Sequence, residues 1–325
     1  MRSVLIVCFA GGEVGLGHLS RARRLHSHLS GKNIQSRLIV VCLTELPIEP
    51  TSNTLLVKFF DFQLSDYVNL GSAQRLALVL DVKENIIPES FFRSVSNFRS
   101  RGGVVLGVDV SVKNQHYFDH IIFATCYLPI AKQNSIYVSY SFGWDCYFVD
   151  PVMEGPSAKR NNEILILTGG SDAYGVTEVL QLGLRDTFDS EKVVLNWVVG
   201  PNSTSPSRWN FEKDIVTSGS MDLSSNMESA KIAFSVFGVT VFELLSHRVP
   251  VVVYCPEDSP DYEIAKFIHE AGVIVLSEDI DTCAEDLATL LVDEEKIRNM
   301  KDKIKKLLSK SAVEKVENYL VACAR

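Results

Sequence analysis

Short continuous apolar runs alternate along this chain with longer segments whose apolar residues recur at helical spacing. Residues 4–9 form the first run, residues 16–29 carry apolar positions three and four apart, and residues 37–43 are again continuous and rich in Val, Ile and Leu. An unbroken apolar run of this length suits a strand buried on both faces, so the opening reads strand, helix, strand. Further strands are expected at 77–80, 104–108 and 120–123, with a helix at 89–99. Such alternation predicts a parallel sheet covered by helices on both faces. The polar stretch 154–162 interrupts the pattern and reads as a linker, which places two domains at 1–155 and 156–325. The alternation then restarts: strand at 163–168, helix at 176–184, strands at 193–199 and 232–236, helix at 240–246, strand at 249–254. The last segment, 294–324, predicts one or two amphipathic helices with Ile297, Met300, Ile304, Leu307 and Leu308 inward, and its final helix is a candidate to pack back on the first domain.

Composition narrows the function classes. The chain has 325 residues, 46% apolar and 22% charged, which is globular composition, and about two domains' worth of chain. A net charge of −8 argues against a dedicated nucleic-acid binder, because phosphate-backbone affinity comes from clustered Lys and Arg. No apolar run approaches the roughly 18 residues of a membrane-spanning helix, and the N-terminal run is too short for a signal peptide, so a cytoplasmic location is expected. The seven cysteines are scattered, with no C-x-x-C pair, and read as buried thiols of a reducing compartment, neither a disulfide framework nor a metal site. The polar face of 294–324 is basic, through Lys296, Arg298, Lys301, Lys303, Lys305, Lys306 and Lys310. It reads as a solvated face, with peripheral contact to acidic lipid as the alternative.

Three segments can hold chemistry. Gly11-Gly12-Glu13-Val14-Gly15-Leu16-Gly17-His18-Leu19-Ser20-Arg21 follows the first strand and opens a helix, where glycines let backbone approach a ligand and unpaired N–H groups favour an anion. His18 falls in the first helical turn, where the helix dipole favours the neutral imidazole that a base requires. The same glycines brush against a dinucleotide fingerprint, with Glu45 near the end of the next strand, so a nicotinamide or flavin oxidoreductase is an alternative. The second segment, Leu165-Ile166-Leu167-Thr168-Gly169-Gly170-Ser171-Asp172, again runs from a strand into small residues. In the third, Gly238-x-Thr240-x-x-Glu243 follows a strand; Thr240 and nearby amides suit a diphosphate and Glu243 suits ribose hydroxyls, while a capping box is the competing reading. Asp81, Asp109, Asp145 and Asp172 are open both as cleft carboxylates and as ordinary loop or strand-end acids.

Together these segments resemble a known family. Gly15-x-Gly17-His18-x-x-Arg21 is similar to the G-x-G-H-x-x-R signature of the PseG or SpsG-like UDP-sugar hydrolases of pseudaminic acid biosynthesis, relatives of the MurG glycosyltransferase. The 166–172 segment with Thr177, and the block Met227, Gly238-x-Thr240-x-x-Glu243-Leu244, Val249-Pro250, resemble two further motifs in the same order. The resemblance implies a GT-B fold of two Rossmann-like domains with the active site in the cleft between them, and no metal or cofactor. Carried over, His18 is the catalytic base for inverting attack at an anomeric carbon. Gly17 keeps the loop open near the leaving diphosphate, Gly15, Arg21 and Asp261 are further substrate contacts, Gly169, Gly170 and Ser171 face the cleft from the second domain, Gly238 and Thr240 hold the diphosphate, and Glu243 binds ribose. The sequence departs from the family where an Asn-Gln pair is replaced by Pro260-Asp261, and Asp261 cannot donate the hydrogen bonds an amide can. An expected Asp is Lys231, and an Asp-Asp pair is Val108-Asp109-Val110. The expectation is an NDP-sugar hydrolase of surface-glycan biosynthesis, with a GT-B glycosyltransferase as the nearest alternative and a non-catalytic nucleotide-sugar binder as a third.

Overall fold

The computed structural model describes residues 3–11, 16–45, 50–68, 76–82, 86–150, 162–169, 172, 174–188, 193–200, 215–218 and 223–323. The chain divides into two units, Met1–Val149 with Ser311–Arg325, and Asp150–Lys310. Of the expected linker 154–162, residues 154–161 lie outside the described residues.

The first unit carries β1 (Ser3–Ala10), α1 (Gly17–Gly31), β2 (Ser36–Cys42), β3 (Thr54–Lys58), β4 (Leu76–Asp81), α2 (Glu89–Ser100), β5 (Val104–Val108), β6 (His120–Ile122), α3 (Ile130–Asn134) and β7 (Ser139–Ser141). Its strands pair in parallel in the order β3-β2-β1-β4-β5-β6-β7. β1 shows why its sequence is apolar throughout. Leu5, Val7 and Phe9 join the core on one face of the sheet with α2, and Val4, Ile6, Cys8 and Ala10 join the core on the other face with α1. α1 buries Leu19, Ala22, Leu25 and Leu29 in that second core, each leucine worth about 2 kcal/mol of apolar burial.

The second unit carries β8 (Glu163–Leu167), α4 (Val176–Thr187), β9 (Val194–Val199), β10 (Ile215–Ser218), α5 (Ser224–Ser229), β11 (Ile232–Val236), α6 (Val239–Ser246), β12 (Val251–Tyr254), α7 (Tyr262–Glu270), β13 (Ile274–Ser277), α8 (Cys283–Val292) and α9 (Glu294–Leu307). Its parallel order is β10-β9-β8-β11-β12-β13. The terminal helix α10 (Ala312–Ala322) belongs to the first unit, where Ala312, Val313, Val316 and Leu320 enter the α1 core. The amphipathic segment 294–324 thus breaks in two at Ser311, which is extended and caps α10. On α9, Lys296, Arg298, Lys303, Lys305 and Lys306 are exposed. Among the described residues no helix is long and apolar enough to cross a membrane.

Each sheet reverses its strand order once, between β1 and β4 in the first unit and between β8 and β11 in the second. In open parallel sheets the chain ends beyond such a point splay in opposite directions and leave a crevice at the carboxyl edge, where ligands bind. All three chemistry-bearing segments follow a strand that borders one of these two points: β1, β8 and β11.

Candidate functional site

In the first unit, α1 begins at Gly17 directly over the β1–β4 point, with Leu16 as N-cap and no side-chain cap. The amides of its first turn therefore have no partner within the helix. His18, the second helical residue, brings Nδ1 to 2.5 Å from Oδ1 of Asp81, the last residue of β4. A carboxylate only accepts, so the proton sits on Nδ1 and Nε2 is left as the basic nitrogen. The imidazole keeps 21% of its side chain exposed while Asp81 is buried.

Arg21 lies one turn further along the same face of α1. Its Nε donates to Asp81 Oδ2 at 3.0 Å and one terminal nitrogen to Asp81 Oδ1 at 2.8 Å, a two-pronged pairing, and its other terminal nitrogen donates to Asp109 Oδ2. The terminal nitrogen that donates to Asp81 Oδ1 also lies 3.0 Å from His18 Nδ1, a contact between two donors and so no hydrogen bond in this tautomer. Asp109 follows β5 in the left-handed region, at φ 53°, and its Oδ1 accepts the Ala124 N–H at 2.8 Å beyond β6. Burial pushes the Asp81 carboxyl up, but Arg21 and His18 outweigh it and hold it below the usual carboxylate range. Burial and the Asp81 charge push the Cys8 thiol on β1 far up, so it stays protonated beside this cluster.

In the second unit, α6 starts over the β8–β11 point. Its N-cap is Gly238, extended at φ 165°, with no side-chain cap, and a Cβ there would meet nothing within 4 Å. Thr240 is thus the second helical residue and not the N-cap. This corrects the capping-box reading: the box needs Thr240 before the helix, and the chain enters two residues earlier because glycine supplies the cap position. Glu243 stands one turn in, half-buried. Across the point, Gly169 follows β8 at φ 90° with open space where a Cβ would lie. Gly15, Gly170 and Ser171 lie outside the described residues. Asp261 is exposed at the N-cap of α7, without a side-chain cap bond.

The four open carboxylates separate in the structure. Asp81 and Asp109 join His18, whereas Asp145 pairs with Lys315 of α10 at 2.9 Å and Asp172 accepts the Val176 and Thr177 N–H groups at the start of α4. Glu45, the acid of the dinucleotide alternative, is exposed beyond the end of β2. Sequence reasoning missed Tyr174 and Tyr254, whose rings meet edge to face at 6.1 Å, Tyr254 ending β12 and Tyr174 in the loop after β8. The signal available was an aromatic directly after a small-residue loop and another at a strand's carboxyl end.

Two sheets of this order, each with helix starts over its reversal point, match solved structures over their whole length. MurG of Acinetobacter baumannii superposes with a TM-score of 0.60 at 15% identity, over 98% of this chain and 99% of that one. The fold is GT-B. The spinosyn forosaminyltransferase SpnP gives 0.65 at 14% identity over all of both chains. UGT71G1 of Medicago truncatula, solved in complex with UDP-glucose, gives 0.61 at 12% identity over 100% and 99%. No protein-family model and no curated protein matches the sequence. At these identities the likeness is one of fold, shared with glycosyltransferases of different substrates.

Proposed function

We propose that this GT-B chain is a nucleotide-sugar-dependent glycosyltransferase in which His18 is the base. The observation that carries the reading is the 2.5 Å contact between His18 Nδ1 and buried Asp81, which fixes the tautomer and leaves Nε2 as the basic nitrogen. An acceptor hydroxyl gives its proton to Nε2 while its oxygen attacks the anomeric carbon. The bond from that carbon to the diphosphate oxygen breaks, the electron pair leaves with the nucleoside diphosphate, and configuration inverts. The imidazolium formed is stabilised by Asp81, which stays ionised.

The second unit supplies the nucleotide half. The first-turn amides of α6 with Gly238 and Thr240 hold the diphosphate, where helix-end N–H groups stabilise the charge that builds on the leaving group. Glu243 takes ribose hydroxyls, Gly169 leaves room for the sugar, Asp261 is a further substrate contact, and Tyr174 and Tyr254 offer their rings to it or to the base. Gly17, at the start of α1, lets the backbone approach the substrate. The UDP-glucose complex of UGT71G1 makes uridine the first nucleotide to try. A second reading, hydrolysis with water as acceptor, is favoured by the Gly15 to Arg21 motif and its likeness to the UDP-sugar hydrolases, and uses the same base.

Phosphorus NMR of the protein with a panel of nucleotide sugars, with and without simple sugar and alcohol acceptors, tests both. His18-dependent nucleoside diphosphate release that needs an acceptor supports the transferase, and release without one supports the hydrolase. Turnover unchanged in His18→Ala would refute the base.

A further inference from the structure

We infer that Arg21 and Asp109 are positioning residues that set the proton affinity of His18 through Asp81, with Arg21 bound to no substrate. The Arg21 guanidinium is buried, and Nε and both terminal nitrogens are engaged by carboxylates. Asp81 Oδ1 is shared between His18 and Arg21, so the charge that Asp81 can offer the imidazole is divided. Asp109 answers on the far side of Arg21, drawing the guanidinium toward itself, and is in turn fixed by its left-handed backbone and the Ala124 amide.

The charges decide the direction. Two carboxylates and one guanidinium sum to −1 beside a neutral imidazole and to zero beside an imidazolium. Removing Arg21 leaves two negative charges to draw a proton to the imidazole; removing the Asp109 charge leaves a neutral pair that draws it less. The other groups around His18 are constant in this comparison. On α1, Arg24 turns to the Ser20 hydroxyl and the Phe148 carbonyl; on β1, Cys8 is a neutral thiol; beyond Asp109, Asp145 is paired with Lys315.

The test reads His18 itself. In a histidine-labelled NMR titration of the full chain, the His18 signal among seven histidines is identified by its loss in His18→Gln. The expected midpoint rises in Arg21→Gln and falls in Asp109→Asn, each by roughly one pH unit, while Arg21→Lys, which keeps the charge without the fork, stays nearer the wild type. Midpoints that do not move, or that move in the same direction in Arg21→Gln and Asp109→Asn, overturn the inference, the second result marking a loosened site. The rate arm rests on the proposed function: the acid limb of the pH–rate profile should follow the same two directions. Opposed NMR shifts with rates indifferent to His18 would sustain this inference and remove His18 as the base.

Discussion

Replacing Gly238 with Ala separates binding from folding. Gly238 is extended, at φ 165° and ψ −167°, a backbone any residue adopts, and the added methyl meets no atom within 4 Å. Alanine is a poorer N-cap than glycine, but it also reduces the freedom of the unfolded chain by about 0.4–1 kcal/mol, so the net change should stay within about 1 kcal/mol. For a unit of this size that moves the melting temperature by no more than about 4 °C. A diphosphate seated on the α6 amides has to occupy the space that the methyl fills. Hydrogen bonds to a charged group are worth about 1.5–3 kcal/mol each, and losing one or two of them weakens binding by roughly a hundredfold. Calorimetric titration with UDP and its sugars, beside a thermal melt, reads both quantities. Gly272→Ala is the opposite control. Gly272 has φ 73°, and a Cβ there presses on Lys303 Nζ, so this variant should lose stability and keep nucleotide affinity. A Gly238→Ala protein that melts normally and binds nucleotide as tightly as the wild type would refute the cradle at α6.

Three other outcomes are expected. Asp81→Asn removes the anion that holds the Nδ1 tautomer and should slow turnover on the order of 10²–10⁴-fold in a nucleoside diphosphate release assay, and the His18→Ala/Asp81→Asn double variant should be no slower than His18→Ala alone. His120 is buried between the Ser139 and Ser141 hydroxyls, and burial, with Lys315 adding, holds its pKa below the usual 6.5. A folded state that resists protonation loses stability as pH falls below the unfolded value, so the melting temperature should drop between pH 7 and pH 5, and His120→Gln should flatten that slope, with half-buried His26 leaving a remainder. Gly107→Ala would push a methyl into the Val110 and Phe118 side chains in the first core, and should cost about 1–3 kcal/mol in urea denaturation with an unchanged slope.

How legible all this is in the sequence depends on range. Strands such as β1, β5 and β11 announce themselves because both faces are buried and the run is unbroken, and α1 because its leucines recur over three turns. β3, β7, β10 and β13 pass unnoticed. Ser139–Ser141 is three residues with two serines, and Ile215–Ser218 is an edge strand paired on one side only, so neither needs a long apolar run. The expected strand at 249–254 starts late, at Val251, because the N–H of Val249 closes the end of α6 on Leu244 and Pro250 has no N–H to give a ladder.

The site divides the same way. That a His follows two glycines at the start of a helix is written in seven consecutive residues. What holds that His is not, because Asp81 and Asp109 stand 60 and 88 residues from Arg21 and meet it only once β4 and β5 have been laid beside β1 in register. Sequence places Asp81 and Asp109 on equal footing with Asp145 and Asp172, since all four are acids in loops or at element ends. Strand order distinguishes them. β4 borders the reversal point and β5 lies next to it, so their carboxyl ends deliver Asp81 and Asp109 to α1, whereas Asp172 is used up at the N-terminus of α4 and Asp145 by the terminal helix. Arg21 illustrates the consequence. The resemblance casts Arg21 as a substrate contact; in the folded sheet its guanidinium joins two carboxylates that stand far from it in sequence.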